Sequence, residues 1–157
     1  MPSGNNILQK CQQAARDYII AAGLDWITSA SIVSGLSRGP ADEDFDVEVS
    51  STDLPAIVCK CSNAAMIHEA NSGNWNCALE ILVRMHAQDT TEDTALDRFS
   101  EVADLFMDSG TAEAGLSDYD GFTAFAIRVT GQNYAISGKA WDLTLTCEVD
   151  CCGSNIS

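Results

Sequence analysis

Three groups of residues in this chain have types and spacings that could do chemistry. The first, Gly35-Leu-Ser37-Arg-Gly39, carries the letters of a nucleophile elbow. That chemistry needs a strand before the serine and a helix after it, so that the hydroxyl stands exposed on a strained turn. Here Pro40 and the acidic run Asp42-Glu43-Asp44 follow, with no amphipathic helix. The parallel sheet of such hydrolases is also missing from the pattern of elements. His68 and His86 are the only histidines, and neither has a cysteine or serine partner at a spacing that implies nucleophilic catalysis. No glycine-rich phosphate loop occurs, so the expectation is a chain that is not an enzyme and takes no cofactor.

The second group is the cysteines, seven in all. Cys77 runs in phase with Leu79 and Ile81. Cys147 and Cys151 run in phase with Trp141, Leu143, Leu145 and Val149, while Cys59 and Cys61 share a face with Ile57. The expected role is that of small buried hydrophobes, which unpaired cysteines often fill. The competing chemistry is a metal site from Cys59, Cys61 and His68, or from Cys147, Cys151 and Cys152. Structural zinc usually uses paired C-x(2–4)-C knuckles on turns, and C-x-C within a strand fits that poorly. No metal is therefore expected. The odd count and the polar start, Met1 to Asn6, point to a reducing cytoplasm and against disulfides.

The third group is a row of acids. On a helix advancing about 100° per residue, Asp93, Asp97, Glu101, Asp104 and Asp108 fall in one narrow sector. Leu96, Phe99, Val102, Ala103 and Phe106 take the opposite side. Like charges four apart destabilise a helix by about 0.2–0.5 kcal/mol per pair, and Arg98 is the one base nearby. The row reads as a solvated face, or as a surface for a basic partner, a cation, or DNA that must pass without sticking.

The elements that must position these groups follow from periodicity. A helix is predicted from Asn6 to Ala22, with Gly23 as its stop. Between Leu24 and Gly39 the pattern allows a short strand. Asp44 to Ser50 alternates as a half-buried strand, Leu54 to Cys61 forms a second, and Asn74 to Ala87 a third with Ala78, Glu80, Arg84 and His86 mostly facing out. Asp89-Thr-Thr-Glu92 reads as a capping box opening a helix to about Ser109, with Gly110 as its stop. A polar stretch to Gly121 precedes strands at Phe122 to Thr130 and Ala140 to Cys151. A protruding loop, residues 131–139, joins them.

The expected fold is α+β: a single, mostly antiparallel sheet with two helices on one face, in the order α-β-β-β-α-β-β. At 157 residues the chain reads as one domain, with an acidic strand and loop at 40–53. Its 23 acids against 8 bases give a net charge of −15. That excludes a protein gripping nucleic acid by its phosphates, which needs a basic footprint. With 46% hydrophobic residues it is not a disordered acidic tail, and no apolar run is long enough for a membrane span.

The element order carries a resemblance across nearly the whole chain. An opening helix precedes Leu54-Pro-Ala-Ile-Val58, then Ser72-Gly-Asn-Trp75 leads into a long alternating strand. The Asp89-capped helix, Phe122-Thr-Ala-Phe125 and Trp141-Asp-Leu-Thr-Leu-Thr-Cys147-Glu-Val149 complete the series. In this the chain resembles the tail terminators and related head–tail joining (neck) proteins of long-tailed bacteriophages. The resemblance implies a non-enzymatic virion protein, made in the host cytoplasm and forming a ring, usually sixfold. Such a ring caps the tail tube, meets the neck connector and lines the DNA path without sequence-specific binding. It implies subunit contacts through loops and the first helix. Candidate lumen or interface acids are then Asp42, Glu43, Asp44, Asp93, Asp97, Glu101, Asp104 and Asp108, and the candidate contact loop holds Gln132, Asn133 and Tyr134. A head-completion or tail-completion adaptor of the same neck is the alternative, and a small cytosolic metal-binding domain a more distant one.

Overall fold

The computed structural model describes residues 6–34, 55–67, 73–88, 90–137 and 140–153. Helix α1 spans Ile7–Ala22 and carries the caps its flanks predict. The Leu8 N–H donates to Asn6 Oδ1 at 2.8 Å, and Gly23 closes the helix at φ 68°, a left-handed conformation that favours glycine. Its buried side holds Cys11, Gln12, Ala14, Ala15 and Ile19. These residues are small near the middle, so the helix lies close on the sheet. A 3-10 turn at Ser29–Ser31 then leads into β1, Ile32–Ser34.

Four longer strands complete one sheet: β2 Ala56–Met66, β3 Asn74–His86, β4 Thr123–Ser137 and β5 Ala140–Cys152. Their spatial order is β1-β2-β3-β5-β4; β1 pairs parallel with β2 and every other pairing is antiparallel. Successive side chains alternate between faces, so one set lines the helix side: Ile57, Cys59 and Cys61, then Leu79, Ile81, Val83 and Met85, then Leu143, Leu145 and Val149. All are buried. At about 1.5–3 kcal/mol for each fully buried aliphatic, this face is the main source of stability. The fold class agrees with the sequence expectation and the order of elements agrees roughly: the second helical region is two helices, and the first strand of the sheet is Ile32–Ser34, while the expected strand at 44–50 lies outside the described residues.

That region departs from the sequence reading in several ways. Helix α2 is Glu92–Met107, and its N-cap is Thr91, whose hydroxyl accepts the Thr94 N–H at 3.2 Å. The expected capping box therefore fails as drawn: Glu92 is the first helical residue, and Asp89 lies outside the described residues. Gly110 does not stop the helix. The break comes at Asp108, whose carboxylate takes the Thr111 N–H and hydroxyl and caps a further helix, α3, Ser109–Leu116. The supposed polar stretch is thus largely helical. Ser117 then ties α3 to β4, donating to Glu113 O and accepting from the Ala124 N–H. Within α2, Ala95 is buried and Leu96 is 38% exposed, so Leu96 does not belong to the buried side.

The sheet brings its own corrections. The expected loop at 131–139 is mostly strand, since β4 continues to Ser137 and stays in register with β5. The register shifts between Val129 and Gly131, so the glycine marks a bulge within the hairpin and not the start of a loop. Strand β2 runs past Cys61 to Met66. Arg84 does face away from the helices, but it is buried there, with its guanidinium paired to Asp142 at 2.6 and 2.7 Å. Beside it on that face Ala56, Val58, Val33 and Leu82 form a small second apolar cluster. The expected acidic strand at 44–50, with Asp42, Glu43 and Asp44, falls outside the described residues, as do Ser37 and His68.

Candidate functional site

Helix α2 sets out four of its five acids along one exposed edge. Asp93, Asp97, Glu101 and Asp104 are solvent-facing, and Asp108, also exposed, follows as the cap of α3 and not as part of α2 proper. Among the described residues none of the five forms an ion pair. Arg98, the one base in their midst, turns instead to Trp26, with its guanidinium 5.5 Å from the ring centroid. The row is therefore a surface of like charge with no internal neutralisation.

The hairpin meets this helix at its N-terminal half. Residues opposite each other in a ladder share a face, and Gln132, Tyr134 and Ile136 sit opposite Leu145, Leu143 and Trp141. All three therefore project on the helix side, beyond the cover of α2. The Tyr134 hydroxyl donates to Glu92 Oε2 at 2.6 Å; this acceptor and its charge push the phenol above its ordinary range. The Tyr134 and Trp141 rings lie 6.1 Å apart, and the Trp141 Nε1–H donates to Thr90 O at 2.8 Å. Between hairpin and helix is an open cleft of about 370 Å³, lined by Leu96, Phe99, Gln132, Asn133, Tyr134 and Leu143. Sequence reasoning named the acids and the segment 132–134 separately. The structure brings segment 132–134 to the same helix, where it meets Glu92, Leu96 and Phe99 and not the acids of the row.

Exposure at this end is strongly apolar. Tyr134 is 46% and Ile136 60% exposed, and Leu96 stands close by. β4 is the last strand in the sheet order, so one of its edges has no strand beside it among the described residues. An edge strand with exposed apolar side chains is a template for pairing with another chain.

The cysteines assemble differently from either expected set. All seven are buried and free of disulfides. Cys147 and Cys151 are four residues apart on one strand, a span of about 13 Å, so they cannot share one ion. The sulfurs that do converge belong to Cys11 on α1, Cys61 on β2 and Cys77 on β3, all within 4.8 Å of one another. Cys151 Sγ lies 3.6 Å from Cys77 Sγ. Hydrogen bonds from Cys11, Cys151 and Cys61 pull the Cys77 thiol well below its usual range, while the bonds to neighbouring sulfurs and burial push Cys11 and Cys151 up. Local spacing could not have found this group, because its members come from four elements and meet only through strand register.

No helix among the described residues is long and apolar enough to cross a membrane. No known family's sequence pattern matches the chain, and no curated protein aligns with it significantly.

Proposed function

We propose that this chain is a non-enzymatic structural subunit that assembles into a ring at the head–tail neck of a long-tailed phage, as a tail terminator capping the tail tube. The reading rests on the resemblance in element order. Its main support is that α2 carries both features: an unneutralised acidic row on its exposed side, and Glu92, Leu96 and Phe99 set against the apolar, strand-edged tip of the β4–β5 hairpin. The two surfaces have complementary uses in a ring. The hairpin tip and its cleft form contacts to the next subunit, burying Tyr134, Ile136 and Leu96. The acids face the lumen, where they repel DNA phosphates within roughly 8–10 Å at physiological salt and keep the passing duplex from adhering.

The α+β sheet with helices on one face is the architecture this role implies. The partners are further copies of the chain, the tail tube protein and the neck connector. Replacing Asp93, Asp97, Glu101 and Asp104 together by lysine tests the lumen assignment. The expected result is rings that still form and now retain duplex DNA in a salt-sensitive manner. Lysine-bearing rings that ignored DNA would place the acids elsewhere. Tail-tube association, followed by co-sedimentation with purified tubes, tests the capping role.

A further inference from the structure

We propose that Cys11, Cys61, Cys77 and Cys151 hold a structural zinc ion at the seam between α1 and the sheet. Tetrahedral zinc with Zn–S bonds near 2.3 Å sets its ligand sulfurs about 3.8 Å apart. The Cys77–Cys151 pair, at 3.6 Å, already has that spacing. Cys11, Cys61 and Cys77 lie within 4.8 Å of one another, so small side-chain movements bring them onto one ion. Each of the four comes from a different element and all four are buried; Cys151 lies outside the mutual 4.8 Å group and joins it through Cys77. Water is excluded there, so a closed four-sulfur site is the form that fits. Soft thiolates and tetrahedral geometry select zinc among common ions. On binding, each ligating thiol gives up its proton to solvent, and no electron is transferred.

Among the strand cysteines, register argues against a disulfide. Cys77 stands opposite Val149 while Cys151 stands opposite Trp75, and Cys61 stands opposite Leu79. Both pairs are therefore diagonal neighbours, about 7–8 Å apart along the backbone, beyond the usual Cα separation of a disulfide. The surroundings also hold the ligands in place. Gln12, next to Cys11, is fully buried, and its Oε1 accepts the Cys61 N–H at 3.0 Å while its amide donates to Ser34 Oγ. A buried glutamine thus clamps α1 onto β2 at the level of the sulfurs. The ladder bulges between Cys61 and Asn63, and such bulges re-aim side chains. Cys59, Cys147 and Cys152 are buried outside the group and serve as internal controls.

The test uses the full chain, purified reduced and without chelator. Zinc per chain is measured by elemental analysis, and cobalt is then exchanged into the site. Roughly one zinc per chain is expected, with a near-ultraviolet thiolate-to-cobalt band and intense visible bands of tetrahedral cobalt. Cys77→Ser should abolish both, while Cys59→Ser retains them. If Cys77→Ser does not fold, the wild-type chain still decides: removing zinc with a chelator should lower the thermal midpoint, and returning it should restore that midpoint. A folded, fully reduced wild-type chain that carries no zinc and shows no cobalt band overturns the proposal. So does a folded Cys77→Ser variant that keeps its full complement of zinc.

Discussion

Gly115 occupies a place no other residue can take without moving an aromatic ring. A Cβ there would lie 2.3 Å from Tyr18 Cδ1 and Cε1. The ring is not free to yield, because its hydroxyl donates to Leu105 O and its edge packs on Phe106 at a centroid distance of 5.4 Å. Gly115→Ala should therefore destabilise the chain by about 1–3 kcal/mol from overpacking, although alanine is the better helix former. Urea denaturation should show this as a lower midpoint at unchanged slope. Arg84 and Asp142 give a second case. Removing the aspartate takes two charge-assisted hydrogen bonds from a buried guanidinium, so Asp142→Ala should destabilise the chain by about 1.5–3 kcal/mol, while replacing both partners by leucine costs less. A double-mutant cycle in thermal denaturation checks this. Burial pushes the Cys147 thiol up to about 12, so at neutral pH it stays protonated. Iodoacetamide should leave Cys147 unmodified in the folded chain and label it once urea unfolds the protein.

At the scale of elements, legibility depended on whether the signal was local. Both ends of α1 were readable, because Asn6 and Gly23 act within a few residues of the helix they cap. The alternation in β3 and β5 was readable for the same reason, with Leu79, Ile81, Leu143 and Leu145 all facing the helices. The α2 boundaries were harder. Asp89-Thr-Thr-Glu92 offers several capping residues in a row, and Thr91 acts as the cap. Thr91→Ala should accordingly cost about 1 kcal/mol, measured by thermal unfolding followed at a helix-sensitive wavelength. Asp108 hid a second start, since a capping aspartate looks the same as one more acid in a stripe. The length of the hairpin is not legible because Gly131 and Asn133 are turn-forming types, whereas pairing with β5 keeps them extended. The thiol group is invisible for the opposite reason: its members are distant in sequence, and only strand register and the packing of α1 on the sheet bring them together.

At the scale of the whole molecule, the net charge of −15 works against bringing copies together. The Debye length falls from about 10 Å at 0.1 M salt to about 3 Å at 1 M, so added salt weakens repulsion between exposed acids. Assembly through the apolar hairpin tip should therefore strengthen as salt rises. Acid–base contacts between subunits would show the reverse trend. Ile136→Asp, which places charge at the tip without touching the core, should abolish assembly and leave the thermal midpoint of the monomer near that of the wild type. Electron microscopy of the purified protein at moderate salt and high concentration tests the proposed ring directly. Closed rings are expected, six copies in the arrangement the resemblance implies, with a central opening wide enough for duplex DNA. A protein that remains monomeric across the range of salt and concentration, and leaves tail tubes uncapped, would contradict it.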